Sequence, residues 1–269
     1  MPDWSEQAPG VYARRYAELD LTVGLVVGSE RCLVIDTRGS RGQGEELAAA
    51  VREVTHLPPV IVLTHAHFDH AFGAASLKAA FGDCPIWAHT GCRDALAERA
   101  ESDRREWTDR YRREGEHALA DDLAATPIAA PTRTFDRATR LDLGGRTVDL
   151  VHPGPGHTDH DVIAVAGNVV FAGDLVEHAP GGSFTEESFG PDTHLAAWPT
   201  TLEHVLAHRP RVVVPGHGDP VDAAFVARAR ADLRTLADLQ SGVRAGTLTL
   251  SAAVDSAPLP PEACRAALS

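Results

Sequence analysis

The sequence predicts an α/β protein. Short apolar runs bounded by glycine and proline alternate with helix-length amphipathic stretches in both halves of the chain. Metal-ligand residue types also recur just after those apolar runs, where the strands of an α/β sheet end and sites are built.

Residues 21–27 and 32–35 read as strands joined by a Gly28-Ser29-Glu30 turn, the pattern of a hairpin. Gly39, Gly42 and Gly44 mark a loop before a helix over 45–54, which Pro58-Pro59 stops. Residues 60–63 form a buried strand, 64–70 a loop, 71–81 a helix and 86–88 a further short strand. From 93 to 123 the chain is highly charged, and Leu96, Ala100, Trp107, Tyr111 and Ala118 keep helical spacing. This stretch reads as a helical excursion packed on the domain, with a lid over the site as the sharper alternative. Residues 129–134, flanked by Pro127 and Pro131, read as a linker between halves.

The second half resumes with strands over 146–151, 162–165 and 169–171, the last two joined by a Gly167-Asn168 turn. A Gly/Pro-rich loop spans 180–191. A helix over 195–208 follows, with Pro199 tolerated only in its first turn. A strand over 212–214 and a long helix over 225–239 complete the pattern, and no close sequence repeat relates the halves. The expected organisation is one domain over 1–269, with the charged excursion at about 93–124 and a C-terminal helical segment at about 222–269.

Composition narrows the function. A formal net charge of −13 argues against nucleic acid, and Arg104-Arg105 and Arg112-Arg113 sit among acids on what reads as a solvated helix face. No apolar run approaches the roughly 20 residues of a membrane span. The opening residues have no basic-then-apolar pattern, so no secretory signal and a cytoplasmic location are expected. Cys32, Cys84, Cys92 and Cys264 form no CxxC pair and read as core residues rather than a disulfide framework. The fourteen histidines are the anomaly.

Several of them fall in Thr64-His65-Ala66-His67-Phe68-Asp69-His70, directly after the strand over 60–63. Imidazole and carboxylate donors suit zinc and similar divalent ions. Ligands at i and i+2 in an extended loop point the same way, and the following turn lets Asp69 and His70 face a second ion. Seven residues cannot readily close two metal sites, so further ligands must come from elsewhere. Pro155-Gly156-His157-Thr158, Ala172-Gly173-Asp174 and Pro215-Gly216-His217-Gly218 each follow an apolar strand. Taken singly, each is more often a turn or a cap; taken together they read as ligands.

HxHxDH, then the GHT histidine, the GD aspartate and the PGHG histidine, resembles the metallo-β-lactamase superfamily over about residues 21 to 221. The resemblance implies a four-layer αββα sandwich of two facing mixed sheets, with two metals at one edge. Carried onto the matching residues, His65, His67 and His157 would bind one ion, Asp69, His70 and His217 the other, and Asp174 would bridge them. Zinc is the expected metal, with iron or manganese as alternatives. Two divalent ions, two aspartates and a hydroxide leave a site near +1. Metal-bound water, with its pKa lowered to about 7, would give the bridging hydroxide that is the implied nucleophile, and Asp69 is the implied catalytic residue that orients it or relays its proton.

The fold hosts many chemistries, so the branch must be read from the site. Lactamase branches resembling this one carry cysteine or serine where Asp174 stands, which disfavours a true β-lactamase and leaves weak lactam turnover as a side activity. Glyoxalase II-like members use basic residues after the bridging aspartate, whereas Asp174-Leu175-Val176-Glu177-His178 has none. Lactonases of this fold often place a tyrosine near the metals, and no tyrosine follows Tyr111. The expectation is a hydrolase of a small-molecule ester, thioester, lactone or amide. A mononuclear-iron sulfur dioxygenase resembling persulfide dioxygenases is the alternative. A non-catalytic protein on this fold would show degenerate ligands, and none is visible. The oligomeric state has no signature in the sequence.

Lesser readings remain. His160 and His178 read as exposed loop residues, with substrate contact or ligand support as the alternative. His152 reads as structural, and His204 and His208 as helix-end residues facing the dipole. Asp36 is placed to brace the metal loop from behind. Phe184, Phe189 and Trp198 read as core or pocket lining.

Overall fold

The computed structural model describes residues 4–82 and 84–269, and these divide into two compact units. The first comprises residues up to Arg14 together with Val23–Leu150; the second comprises Arg15–Thr22 and Val151–Ser269. Each carries a mixed sheet with helices, so the α/β class is as expected.

In the first unit, β1 (Trp4–Ala8), β2 (Val11–Arg15), β3 (Thr22–Val27) and β4 (Cys32–Ile35) lead into α1 (Arg41–Val54) and β5 (Pro59–Val62). Then come α2 (Phe68–Ala71), α3 (Ala74–Phe81), β6 (Ile86–His89), α4 (Thr90–Glu114), α5 (His117–Ala124), β7 (Arg133–Phe135), β8 (Ala138–Asp142) and β9 (Thr147–Val151). Among the described residues β1 to β7 form a seven-stranded sheet in chain order. The pairs β1–β2 and β3–β4 are antiparallel, and β4 through β7 run parallel. Strands flanked on both sides need apolar side chains throughout, and all four residues of β4 and of β5 are buried. Ser40 caps α1 by accepting from the Gln43 amide, and Leu47, Ala48 and Val51 form its buried face.

The charged excursion packs within this unit. The Phe68 ring lies 4.3 Å from that of Trp107 on α4, and the Arg110 guanidinium sits 4.6 Å over the Trp107 ring.

In the second unit β10 (Ile163–Ala166), β11 (Val169–Glu177) and β12 (Val212–His217) are adjacent, with β10–β11 antiparallel and β11–β12 parallel. α6 (Trp198–Ala207), α7 (Ala223–Arg244), α8 (Leu250–Ser256) and α9 (Pro261–Leu268) cover them. Pro199 falls in the first turn of α6 as expected. Phe184, Phe189 and Trp198 are buried and pack with ring centroids 5.0–5.9 Å apart, and Phe189 also lines a pocket. No helix among the described residues is long and apolar enough to cross a membrane.

Four expectations shift. Gly42 and Gly44 lie inside α1, which starts at Arg41, rather than in a loop before it. The helix over 71–81 is two helices, α2 beginning already at Phe68 and α3 at Ala74, with the Gly73 amide between them bonded to the Arg38 carbonyl. The stretch expected as a linker contains β7, a strand of the large sheet, and the boundary between units falls at 150/151. The strand over 169–171 continues to Glu177, so Asp174 lies inside β11 rather than beyond its end.

Candidate metal centre

In the first unit, β5 ends at Val62 and the chain turns into α2, which begins behind His67. This geometry gathers His65, His67, Asp69 and His70. The His65 ring lies 4.6 Å from that of His67 and 4.3 Å from that of His70, and His70 Nε2 is 3.5 Å from Asp69 Oδ2. His65, Asp69 and His70 are buried, and His67 is half-buried.

Asp36 braces this cluster, as the sequence suggested. It sits at the end of β4, 2% exposed, with a left-handed backbone (φ 66°). Its Oδ1 accepts from the Thr64 amide at 2.8 Å, and its Oδ2 accepts from the Thr64 hydroxyl and from His70 Nδ1, both at 2.8 Å. Because that hydroxyl donates to Asp36, it accepts from His65 Nδ1, 3.0 Å away. One carboxylate therefore fixes two imidazoles with hydrogen on Nδ1 and leaves both Nε2 atoms as the donors a metal needs. Thr37 adds two hydrogen bonds to the His70 carbonyl, from its amide and its hydroxyl.

The second unit brings together the other three. Asp174 lies in β11, where Gly173 (φ 52°) and a shift of register against β12 turn the strand. Its Oδ2 is 3.5 Å from His157 Nε2 and 3.3 Å from His217 Nε2. The ring of each histidine is held through its other nitrogen by a backbone carbonyl: His157 Nδ1 by Ser188 at 3.2 Å and His217 Nδ1 by Leu19 at 2.7 Å. A carbonyl only accepts, so both Nδ1 atoms carry the hydrogen and a neutral ring turns its Nε2 lone pair toward the carboxylate. Such facing lone pairs call for a shared positive charge, a role that a proton or a divalent cation fills. Donor types, tautomers and convergence in each unit thus fit a divalent metal.

Gly216 lets this arrangement form. A Cβ at that position would lie 1.8 Å from Asp174 Oδ1. Asp161 holds the turn next to His157, accepting from the Thr158 amide and hydroxyl at 2.8 Å each.

Asp161 and Glu177 went unseen in the sequence. Glu177, 4% exposed at the end of β11, accepts from the Ser188 hydroxyl at 2.7 Å and so steadies the turn whose carbonyl holds His157. Its sequence signal is an acid after the apolar pair Leu175-Val176. His160, read as an exposed loop residue, is 2% exposed and bonded to Asp159. His178 is partly buried against Phe225, with Nδ1 3.2 Å from the Asp219 carbonyl. His152 is structural, bonded to the Asp161 carbonyl; His204 lies in the last turn of α6, as expected, and bonds the Pro153 carbonyl at 2.5 Å.

The family model for the metallo-beta-lactamase superfamily matches residues 19–217. An uncharacterised protein of Mycobacterium tuberculosis is 30% identical over 173 residues, 60% of this chain and 70% of that protein. Metallo-beta-lactamase type 2 of Bacillus cereus is 25% identical over 210 residues, 76% of this chain and 69% of that protein. The solved metallo-beta-lactamase from Pontibacter korlensis superposes with a TM-score of 0.65 at 20% identity, over 87% of this chain and 99% of that one. This likeness shows the fold. The ordered motifs, the family match and the shared fold agree: the chain belongs to the metallo-beta-lactamase superfamily.

Proposed function

We propose that the chain is a binuclear metallo-hydrolase that cleaves an ester, thioester, lactone or amide bond of a small molecule. In this reading His65, His67 and His157 hold one divalent ion, Asp69, His70 and His217 hold the other, and Asp174 serves both. The observation that carries it is the pair of imidazoles turned on Asp174 with their Nδ1 hydrogens already engaged by carbonyls. Family membership supports it, with all seven ligand types lying within the matched residues 19–217.

Two divalent ions, zinc in the first instance, would supply Lewis acidity that polarises the scissile carbonyl and brings the pKa of water to about 7. The chain's own groups do the rest. Asp36 and the Ser188 and Leu19 carbonyls keep the imidazoles oriented, so no ring has to reorganise during turnover. Asp69, buried beside His70, orients the attacking water and takes its proton on a carboxylate oxygen. The acidic balance supports a small molecule rather than nucleic acid, and a cytoplasmic setting completes the proposal.

The test is a turnover screen across lactones, thioesters, esters and β-lactams after reconstitution with zinc, manganese or iron, with oxygen monitored. Hydrolysis concentrated in one bond class without oxygen uptake is expected. Oxygen consumption with a thiol-derived substrate, or no hydrolysis in any class, contradicts the reading.

A further inference from the structure

Residues 15–22 contain no ligand of the proposed set, yet they group with the second unit while the residues on either side of them group with the first. The segment forms a short 3-10 turn over Glu18–Asp20 in which Leu19 (φ 54°) and Asp20 (φ 58°) are both left-handed. Two successive non-glycine residues hold that conformation only where the surroundings enforce it. The result is a row of groups that engage His217 and the adjoining Gly218. The Leu19 carbonyl accepts from His217 Nδ1 at 2.7 Å, and the Asp20 carbonyl accepts from the Gly218 amide at 2.7 Å. Leu21 bridges His217 in antiparallel fashion, and the Thr22 hydroxyl donates to the Gly218 carbonyl at 2.7 Å.

Arg15 closes this strap. Its guanidinium donates to both carboxylate oxygens of Asp20, through Nε and through Nη2 at 2.9 Å, and through Nη1 to Asp219 Oδ2 at 2.6 Å. One cation thus ties the strained turn to the residue two positions beyond His217 and offsets two acids that would otherwise repel. The guanidinium fork suits this task; a lysine ammonium makes a point contact. The Arg15 side chain is 41% exposed, so its ion pairs add little to overall stability.

We propose that Arg15 is a positioning residue whose clamp holds the Leu19 carbonyl against His217 and thereby sets the affinity of the ion that His217 binds. This rests on the binuclear reading. The test is stepwise titration of the metal-free full chain with zinc, and with cobalt followed by its visible absorption. Wild type takes two ions. Arg15→Ala takes the first with unchanged affinity and the second about 3- to 10-fold more weakly, because the carbonyl support is loosened rather than removed and exposed ion pairs are weak. Arg15→Lys falls between the two. Arg15→Ala with Asp219→Asn regains part of the loss, because one of the two repelling acids is gone. Rising salt weakens the second ion in wild type more than in Arg15→Ala. Equal affinities for both ions in Arg15→Ala and wild type overturn the proposal. So does a loss shared equally by both ions, which marks a merely structural role. A wild type that takes fewer than two ions overturns the binuclear reading itself, and this proposal with it.

Discussion

The two units solve one problem in different ways. In the first, four ligand-type residues come from six consecutive positions and a single buried carboxylate, Asp36, orients two of the rings. In the second, three such residues come from a loop and two strands, and backbone carbonyls of two further segments orient the rings. A carboxylate brace is a side chain and can be deleted by mutation. A carbonyl brace cannot be deleted, only displaced by altering whatever holds its segment. The first unit should therefore be vulnerable at one residue, and the second at the points where segments are packed or tied.

The largest effect is expected at Gly216. Gly216→Ala puts a methyl group 1.8 Å from Asp174 Oδ1, so the carboxylate must move; metal binding in the second unit and at least about a thousandfold of activity should be lost with the fold intact. Circular dichroism beside metal analysis checks it, and retained metal breaks the account of Asp174.

Next is Asp36→Ala, which strands the Thr64 amide and His70 Nδ1. Stability should fall by about 2–4 kcal/mol in denaturant unfolding and activity by about 100-fold, with Asp36→Asn milder.

Smaller is Glu177→Gln. It keeps an acceptor for the Ser188 hydroxyl, leaves the Ser188 carbonyl in place, and should cost about tenfold in metal affinity at most. A loss as large as that of Asp36→Ala would erase the contrast between side-chain and carbonyl braces.

The smallest effect concerns the thiols. All four cysteines are buried, and burial pushes Cys32 up to about 12, so its thiolate is scarce at pH 8. Alkylation of native protein at pH 8 should leave Cys32 unmodified until denaturant is added, as mass spectrometry would record.

The same contrast explains what was legible in the sequence. The first cluster is local, so HxHxDH announced itself, and Asp36 could be inferred from its place at a strand end. His157, Asp174 and His217 were found only because each follows an apolar run with a small residue before it. Strand length misled at Asp174: the glycine before it reads as a terminator, yet the turned strand accommodates Gly173 and continues to Glu177. β7 was missed because its three residues stand beside prolines that look like a linker. Arg15 carries no sequence signal, since its partners are five and 204 positions away and only tertiary structure joins them.

The central claim is that both clusters together hold a pair of metal ions through Asp174. Metal content per chain, measured by mass spectrometry on wild type and Asp174→Ala after exhaustive dialysis against dilute zinc, tests it most directly. Two equivalents in wild type and less than one in the variant are predicted. A metal-free wild type, or two equivalents in both proteins, would contradict it.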